Sequence, residues 1–269
     1  MGKNEIIVPF LKWAGGKRWL ISSYPELLTF PFNRYIEPFL GSGAVYFHLA
    51  PDRSILADRN QELIATYQAI KNAWEQVQNE LRKHHRNHSK LYYYKIRQSR
   101  PKTPHTRAAR FIYLNRTCWN GLYRVNLRGE FNVPLGTKTN VVLDTDDFQS
   151  ISRALKSADL RVSDFESVID LAGHKDLVFV DPPYTVKHNL NGFIKYNETL
   201  FNWDDQIRLR NCVSRAKKRG ARILVTNAYH ESVIQLYKGL GQIQRVTRSS
   251  VLAADSSKRK RCDELIVVV

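Results

Sequence analysis

An apolar tetrapeptide, Leu177-Val178-Phe179-Val180, runs straight into Asp181-Pro182-Pro183-Tyr184. The four apolar residues predict a short buried strand. The prolines must end it, because proline has no N–H to give to a ladder. They also fix the turn that follows, so Asp181 and Tyr184 are held at the strand's carboxyl end, where open α/β sheets take their ligands. A carboxylate, a backbone carbonyl and an aromatic ring in that order suit the chemistry of an exocyclic amine on an aromatic base. Such a nitrogen is a poor nucleophile while its lone pair is delocalised into the ring. With one N–H given to Asp181 and the other to the Pro182 carbonyl, it moves toward tetrahedral geometry. Its lone pair then becomes available to a methyl group, while Tyr184 stacks on the base and holds it in line.

Two glycine-containing stretches point to a second ligand. Phe10-Leu11-Lys12-Trp13-Ala14-Gly15-Gly16-Lys17 resembles a phosphate loop only superficially. The first glycine of that motif is missing, and Arg18 stands where Ser or Thr should be. A loop that brings backbone close to a small ligand is the better reading. Further on, Arg34-Tyr35-Ile36-Glu37 predicts a strand, Gly41-Ser42-Gly43 a turn, and the residues to about Leu49 a helix. Seventeen residues past Gly41, the apolar Ser54-Ile55-Leu56-Ala57 ends in Asp58. A carboxylate at the end of a second strand is where α/β domains hydrogen-bond a ribose, so turn and acid together predict a nucleoside ligand.

The elements that must position these groups interrupt their own pattern. Strands and helices alternate up to about residue 61, and the alternation returns at Leu160-Arg161-Val162-Ser163-Asp164-Phe165. Between them, from Glu62 to Asp144, fifteen Lys and Arg face five acids. Helical spacing of Leu63, Tyr67, Ile70 and Trp74 opens this segment, and Arg107 to Asn115 resumes it. His84, His85 and His88 lie in a basic run without an accompanying carboxylate or cysteine, so a solvated or phosphate-facing helix surface is favoured over a metal site. From Asn115 to Thr139, aromatic, amide and guanidinium side chains alternate with Asn-Gly and Arg-Gly breaks, which predicts a hairpin or looped ribbon suited to reading bases. Residues from Thr185 to about Trp203 form a candidate lid. Asp204 is expected to cap a helix that Gly220 ends, and Ala221 to Thr226 to form a further strand.

The totals narrow the partners. With 42 Lys and Arg against 25 Asp and Glu, the net charge is +17, and a polyanion, nucleic acid first, is the expected partner. Cys118, Cys212 and Cys262 form no CxxC pair, so neither a disulfide framework nor a zinc site is indicated. No signal peptide or bilayer-spanning apolar run is evident, which reads as a cytoplasmic protein without membrane contact. The run Lys258-Arg259-Lys260-Arg261 is open between a DNA-backbone contact and a solvated loop.

Taken together, Phe10 to Lys17, Glu37 to Val45, Tyr113 to Gly136, Asp181 to Tyr184 and Lys258 to Leu265 resemble, in order, the Dam-type (D12 class, alpha group) DNA adenine-N6 methyltransferases. The resemblance implies a Rossmann-like mixed-sheet α/β domain, residues 1–61 and 145–269, with a helical target-recognition insertion and β-hairpin at 62–144. It implies S-adenosylmethionine as methyl donor. Trp13, Lys17, Gly41 and Gly43 would shape its pocket, Asp58 would hold the ribose, and Asp164 and Phe165 would contact its adenine. The catalytic set is Asp181, Pro182 and Tyr184, with Asp181 also facing the cofactor. Duplex DNA would be entered by the segment carrying Trp119, Asn120, Leu122, Arg124 and Pro134, with Trp119 as a wedge. Lys12 would read a first guanine. Further DNA contacts fall to Arg116, Asn126, Asn132, Lys138, Lys258 and Lys260. No metal is implied, and a monomer is expected.

The site implied is GATC, although Thr137 and Lys138 stand where GATC enzymes carry Arg and Tyr. A flipped adenine would be methylated by direct displacement. An N4-cytosine enzyme is the near alternative, but such enzymes more often carry Ser in place of Asp181. A DNA-binding protein that has lost catalysis, or an RNA methyltransferase, are the readings from other classes. A C5-cytosine enzyme needs a cysteine nucleophile, and no Pro-Cys is present.

Overall fold

The computed structural model describes residues 7–126, 128–187, 201–249 and 261–269. Its seven-stranded sheet, counted over those residues, is built from β1 (Arg34–Glu37), β2 (Ser54–Asp58), β3 (Ala158–Val162), β4 (Asp176–Val180), β5 (Arg222–Ala228), β6 (Gln242–Ser249) and β7 (Arg261–Val268). The order is β3-β2-β1-β4-β5-β7-β6. All five residues of β4 are buried, as its apolar run requires of a strand covered on both faces. It pairs in parallel with β1 (Ile36 opposite Val178) and with β5 (Val180 opposite Val225). β7 runs antiparallel to both β5 and β6, which makes the sheet mixed. The chain winds outward from β1 to β2, and later from β4 to β5, so the winding reverses between β1 and β4. Ligands gather beyond the carboxyl ends of strands at such a reversal. Glu37, Asp58 and Asp181 all stand at that edge. The strand β6, a polar alternation of Gln, Arg and Thr with Ile243 and Val246, is not among the expected elements.

The chain divides into two compact units. The first comprises Met1–Ser23, Gly41–Ala50 and Asn60–Leu160, so the basic segment 62–144 is grouped with the two glycine-containing stretches. Its helices are α1 (Arg18–Ser23), α2 (Ala44–Leu49), α3 (Gln61–Asn87), α4 (Lys90–Gln98), α5 (Pro104–Thr117) and α6 (Phe148–Leu155). The Asn60 side chain caps α3 by accepting from the Leu63 N–H, and Ser89 does the same for α4 at Tyr92. Leu63, Tyr67, Ile70, Val77 and Leu81 of α3 are buried, as are Ala108, Phe111 and Ile112 of α5.

The expected solvated helix surface holds for Arg82, Lys83, His85 and Arg86, which are exposed, but not for the other two histidines. His84 is not a solvated surface residue: its ring stacks on Tyr113 at 4.9 Å and bonds the Tyr92 hydroxyl at 2.8 Å, while His88 bonds the Tyr113 hydroxyl at 2.9 Å. A flat amphipathic ring at helical spacing packs against aromatic neighbours more favourably than it faces water.

The second unit comprises Tyr24–Leu40, Pro51–Arg59 and Arg161–Val269. Its helices α7 (Phe165–Ile169), α8 (Trp203–Lys218) and α9 (Glu231–Tyr237) contribute Val168, Ile169, Leu209, Val213, Ala216 and Tyr237 to one core with Ile36, Val178, Ile223 and Val225. Asn202, rather than Asp204, caps α8. Its side chain accepts from the Asp205 N–H while the Asp205 carboxylate takes the Asn202 N–H, a reciprocal box that satisfies two end donors at once. Gly220, at φ +82°, closes the far end.

Candidate active site and nucleic-acid interface

Asp181 follows the last residue of β4, partly exposed, with its direction fixed from behind. Thr226 of β5 donates its hydroxyl to Asp181 Oδ1 at 2.7 Å. Pro182 is buried, and Tyr184 is half-buried with its phenol donating to Glu264 Oε2 at 2.6 Å. Burial of that hydroxyl, with the Asp181 and Glu264 carboxylates nearby, pushes the phenol well above its ordinary pKa, so it remains a donor. The turn is held further along as well. Thr185 donates to the Phe201 carbonyl, and the Thr185 carbonyl accepts from Gln206 of α8. Gln206 in turn accepts from the buried Asn227. A carboxylate, a rigid proline turn and a ring tethered at its far end are therefore presented together at the carboxyl end of β4.

Two strands away in the same unit, Asp58 closes β2. The register of β2 on β1 (Leu56 opposite Glu37) and of β4 on β1 places Asp58 and Asp181 on either side of β1 at the same sheet edge. Asp164 caps α7 by accepting from the Glu166 N–H, and takes both Arg208 Nη groups at 2.8 and 3.0 Å. Burial alone would raise its pKa; Arg208 and the Glu166 N–H outweigh this and hold it below the ordinary carboxylate value. With three donors on two oxygens, one acceptor position remains, since a carboxylate offers about four. Phe165 is buried, its ring stacked on Phe39 at 5.5 Å and covered by the Arg208 guanidinium at 4.2 Å.

In the first unit, the glycine turn is shaped by Trp13. A Cβ at Gly41 would come within 2.7 Å of Trp13 Cδ1, and Gly41 and Gly43 hold φ of +48° and +64°, so glycine is needed for both space and backbone angle. Tyr67 pins this turn by donating to the Gly41 carbonyl at 3.0 Å. Trp13 itself stacks with Tyr123 at 5.9 Å and Phe111 at 6.3 Å. Lys17 is buried and donates to the Gly15 carbonyl at 2.6 Å. Asn115, fully buried, grips the next residue along: its amide accepts from Lys12 N–H and donates to the Lys12 and Gly121 carbonyls. Lys12 is thereby set beside the turn Trp119–Gly121, its Cδ 2.5 Å from where a Cβ on Gly121 would lie.

That turn begins the expected reading segment, and the sequence-predicted residues fare differently along it. Trp119 is 51% exposed, and Asn120 sits in the left-handed region at φ 54°. Leu122 is half-buried, while Pro134 and Lys138 are exposed. The ribbon is held by single antiparallel bridges, Val125 to Phe131 and Cys118 to Leu135, rather than by a regular hairpin ladder. Arg124 is exposed and donates through Nε to Asn132 Oδ1 at 2.9 Å; its Nη groups make no hydrogen bond among the described residues. The Asn126 side chain is occupied in building the turn, accepting from Arg128 and Glu130 N–H and donating to the Glu130 carboxylate. Arg116 does not face outward. Its five N–H donors are all spent inside the protein, on both Asp146 oxygens and the Phe10 and Val141 carbonyls, and the pair is 4% and 3% exposed. A buried guanidinium saturated in this way has nothing left for a phosphate. Lys258 and Lys260, and most of the 185–203 lid, lie outside the described residues.

Comparison with known proteins now decides the family. The model of the D12 class N6 adenine-specific DNA methyltransferases matches residues 13–251. The chain belongs to this family. A type II methyltransferase of Lactococcus lactis subsp. cremoris is 36% identical over 98% of this chain and 96% of its own length. A type II methyltransferase of Methanocaldococcus jannaschii is 35% identical over 94% of this chain and 96% of its own. The DNA adenine methylase of Escherichia coli is 30% identical over 100% and 96%.

Several polar residues that shape this D12-class enzyme carry no sequence signal of their own. Thr226, Glu264, Gln206 and Arg208 are ordinary residue types far along the chain from the groups they hold. Only the strand register and the helix packing reveal them. Among the described residues no cluster of three or more His, Cys, Asp or Glu could hold a metal, and no helix is long and apolar enough to cross a membrane.

Proposed function

We propose that this DNA adenine methyltransferase transfers a methyl group from S-adenosylmethionine to adenine N6 in a short duplex site, GATC foremost, with the adenine rotated out of the stack. An N6 nitrogen inside a duplex cannot otherwise be reached. The observation that carries the reading is the tethered Asp181-Pro182-Pro183-Tyr184 turn at the carboxyl end of β4. Asp181 and the Pro182 carbonyl accept the two amine hydrogens, and Asp181 takes up the proton that the nitrogen gives up as it is methylated. Tyr184, pinned through its hydroxyl, offers a ring face to the base. The described cysteines, Cys118 and Cys212, are buried, and burial pushes both thiols up to about 12. Neither is ionised at neutral pH, which agrees with displacement without a covalent enzyme intermediate.

The donor set fits the cofactor. Left-handed Gly41, set against Trp13, and Gly43 allow a close approach of backbone, and Asp58 at a strand end suits a ribose diol. Asp58 would hold the ribose, Asp164 and Phe165 the adenine, and Trp13, Lys17, Gly41 and Gly43 the methionine part. When bound, the group supplies an electrophilic methyl on a sulfonium. Lys12, Trp119, Asn120, Leu122, Arg124, Asn132, Pro134 and Lys138 are proposed to meet the DNA. The residues 1–61 with 145–269 and 62–144 are proposed as catalytic and recognition parts.

Expression in cells lacking adenine methylation tests the site. Their DNA should become resistant to a GATC nuclease blocked by methylation and sensitive to one that requires it. Unchanged digestion by both would remove GATC from the reading.

A further inference from the structure

Behind Asp181 and Tyr184 the sheet register assembles a polar group within an otherwise apolar layer. Val180 pairs with Val225, so Asp181 and Thr226, one step on in parallel strands, share a face. Thr226 pairs with Ile266 and Ala228 with Glu264, which brings Glu264 to that face too. Thr226 is fully buried and Glu264 is 1% exposed, flanked along β7 by buried Leu265, Ile266 and Val267. A carboxylate is costly in such a place unless polar groups meet it. The Tyr184 hydroxyl meets it at 2.6 Å, and on the same face the Thr226 hydroxyl donates to Asp181 at 2.7 Å, so both lead to the reacting turn.

Resting on the methyl-transfer reading above, we propose that Thr226 and Glu264 are positioning residues for that reaction. Thr226 fixes the plane of the Asp181 carboxylate and, by donating to it, favours its ionised form. Glu264 anchors the far end of Tyr184, so the ring is set before the base arrives. Neither residue touches the base; each acts through another. Pre-set partners matter because a small displacement of a reacting group can cost on the order of a hundredfold in rate.

The test is single-turnover methylation of a GATC duplex by Thr226→Val, Thr226→Ser, Glu264→Leu and Glu264→Gln, alongside cofactor affinity and thermal midpoint. Thr226→Val is expected to slow transfer by about ten- to a hundredfold without weakening cofactor binding. The acid limb of its pH–rate profile should move upward, because Asp181 has lost a donor. Thr226→Ser, which keeps the hydroxyl, should recover most of the rate and the original limb. Glu264→Gln keeps an acceptor for the phenol and should retain far more rate than Glu264→Leu. If Glu264→Leu does not fold, Tyr184→Phe combined with Glu264→Gln replaces it, and the pair should lose no more than Tyr184→Phe alone. A Thr226→Val enzyme with wild-type rate and pH profile, or loss in Thr226→Val that Thr226→Ser does not repair, overturns the proposal. An inactive wild-type chain would instead overturn the methyl-transfer reading itself.

Discussion

Asp58 and Arg124 show what a single side chain is expected to contribute. Asp58 ends β2 at the carboxyl edge of the sheet, where the proposed cofactor would lie. Asp58→Ala should weaken S-adenosylmethionine by about ten- to a hundredfold, the loss of one charge-assisted hydrogen bond of roughly 1.5–3 kcal/mol. An unchanged dissociation constant by calorimetry would pass the ribose to another acid, with buried Glu37 at the end of β1 the first suspect. Arg124 holds Asn132 through Nε, and its Nη groups make no hydrogen bond among the described residues, so the proposal gives that fork to a base. A bidentate contact to guanine is worth ~1–3 kcal/mol of discrimination. Arg124→Ala should therefore relax preference at one base pair while affinity for unrelated DNA changes little. Equal losses on GATC and on every single-base variant would make the residue a backbone contact. The places of Asp58 and Asp181 at the sheet edge were legible because each closes an apolar run that reads as a buried strand. Arg116 was misread because its partner, Asp146, lies thirty residues on, and sequence gives no sign that the two are buried together.

At the scale of elements, α3 and α5 show how a basic run can hide a packed core. Burial depresses His84 to about 4, with Arg110 and Lys83 adding to the effect against Glu80, and burial also lowers His88. The sign follows from comparing states. Between an unfolded pKa near 6.5 and the folded value near 4, the unfolded chain binds a proton that the folded one refuses, so stability falls as pH drops through that window and levels off below it. At ~1.4 kcal/mol per pKa unit, His84 contributes at most about 3.5 kcal/mol to that loss. Urea midpoints at pH 7 and pH 4.5 should fall farther apart for wild type than for His84→Gln. Equal separations would mean that the ring does not resist protonation. The elements themselves were largely readable: the turn at Gly41, α2 and β4 lie where glycine, periodicity and proline put them. β6 was missed because a polar edge strand lacks an apolar run, and the cap of α8 because Asn202 and Asp204 are equally good cap residues by type.

The molecule as a whole joins a sheet edge carrying Asp58 and Asp181 to a chain with a +17 charge, the composition expected of an enzyme whose substrate is a polyanion. The D12-class membership gives the family's chemistry, and the winding reversal of the mixed sheet is the reason for proposing it at that edge. Its most direct test is the nucleoside content of DNA from methylation-deficient cells expressing either the wild-type chain or Asp181→Ala, read by mass spectrometry. N6-methyldeoxyadenosine should accumulate with the wild type and fall at least ~10²-fold with the variant, as expected when a positioned acceptor is removed. N4-methyldeoxycytidine in its place, or undiminished N6-methyldeoxyadenosine from Asp181→Ala, would contradict the role given to this carboxylate.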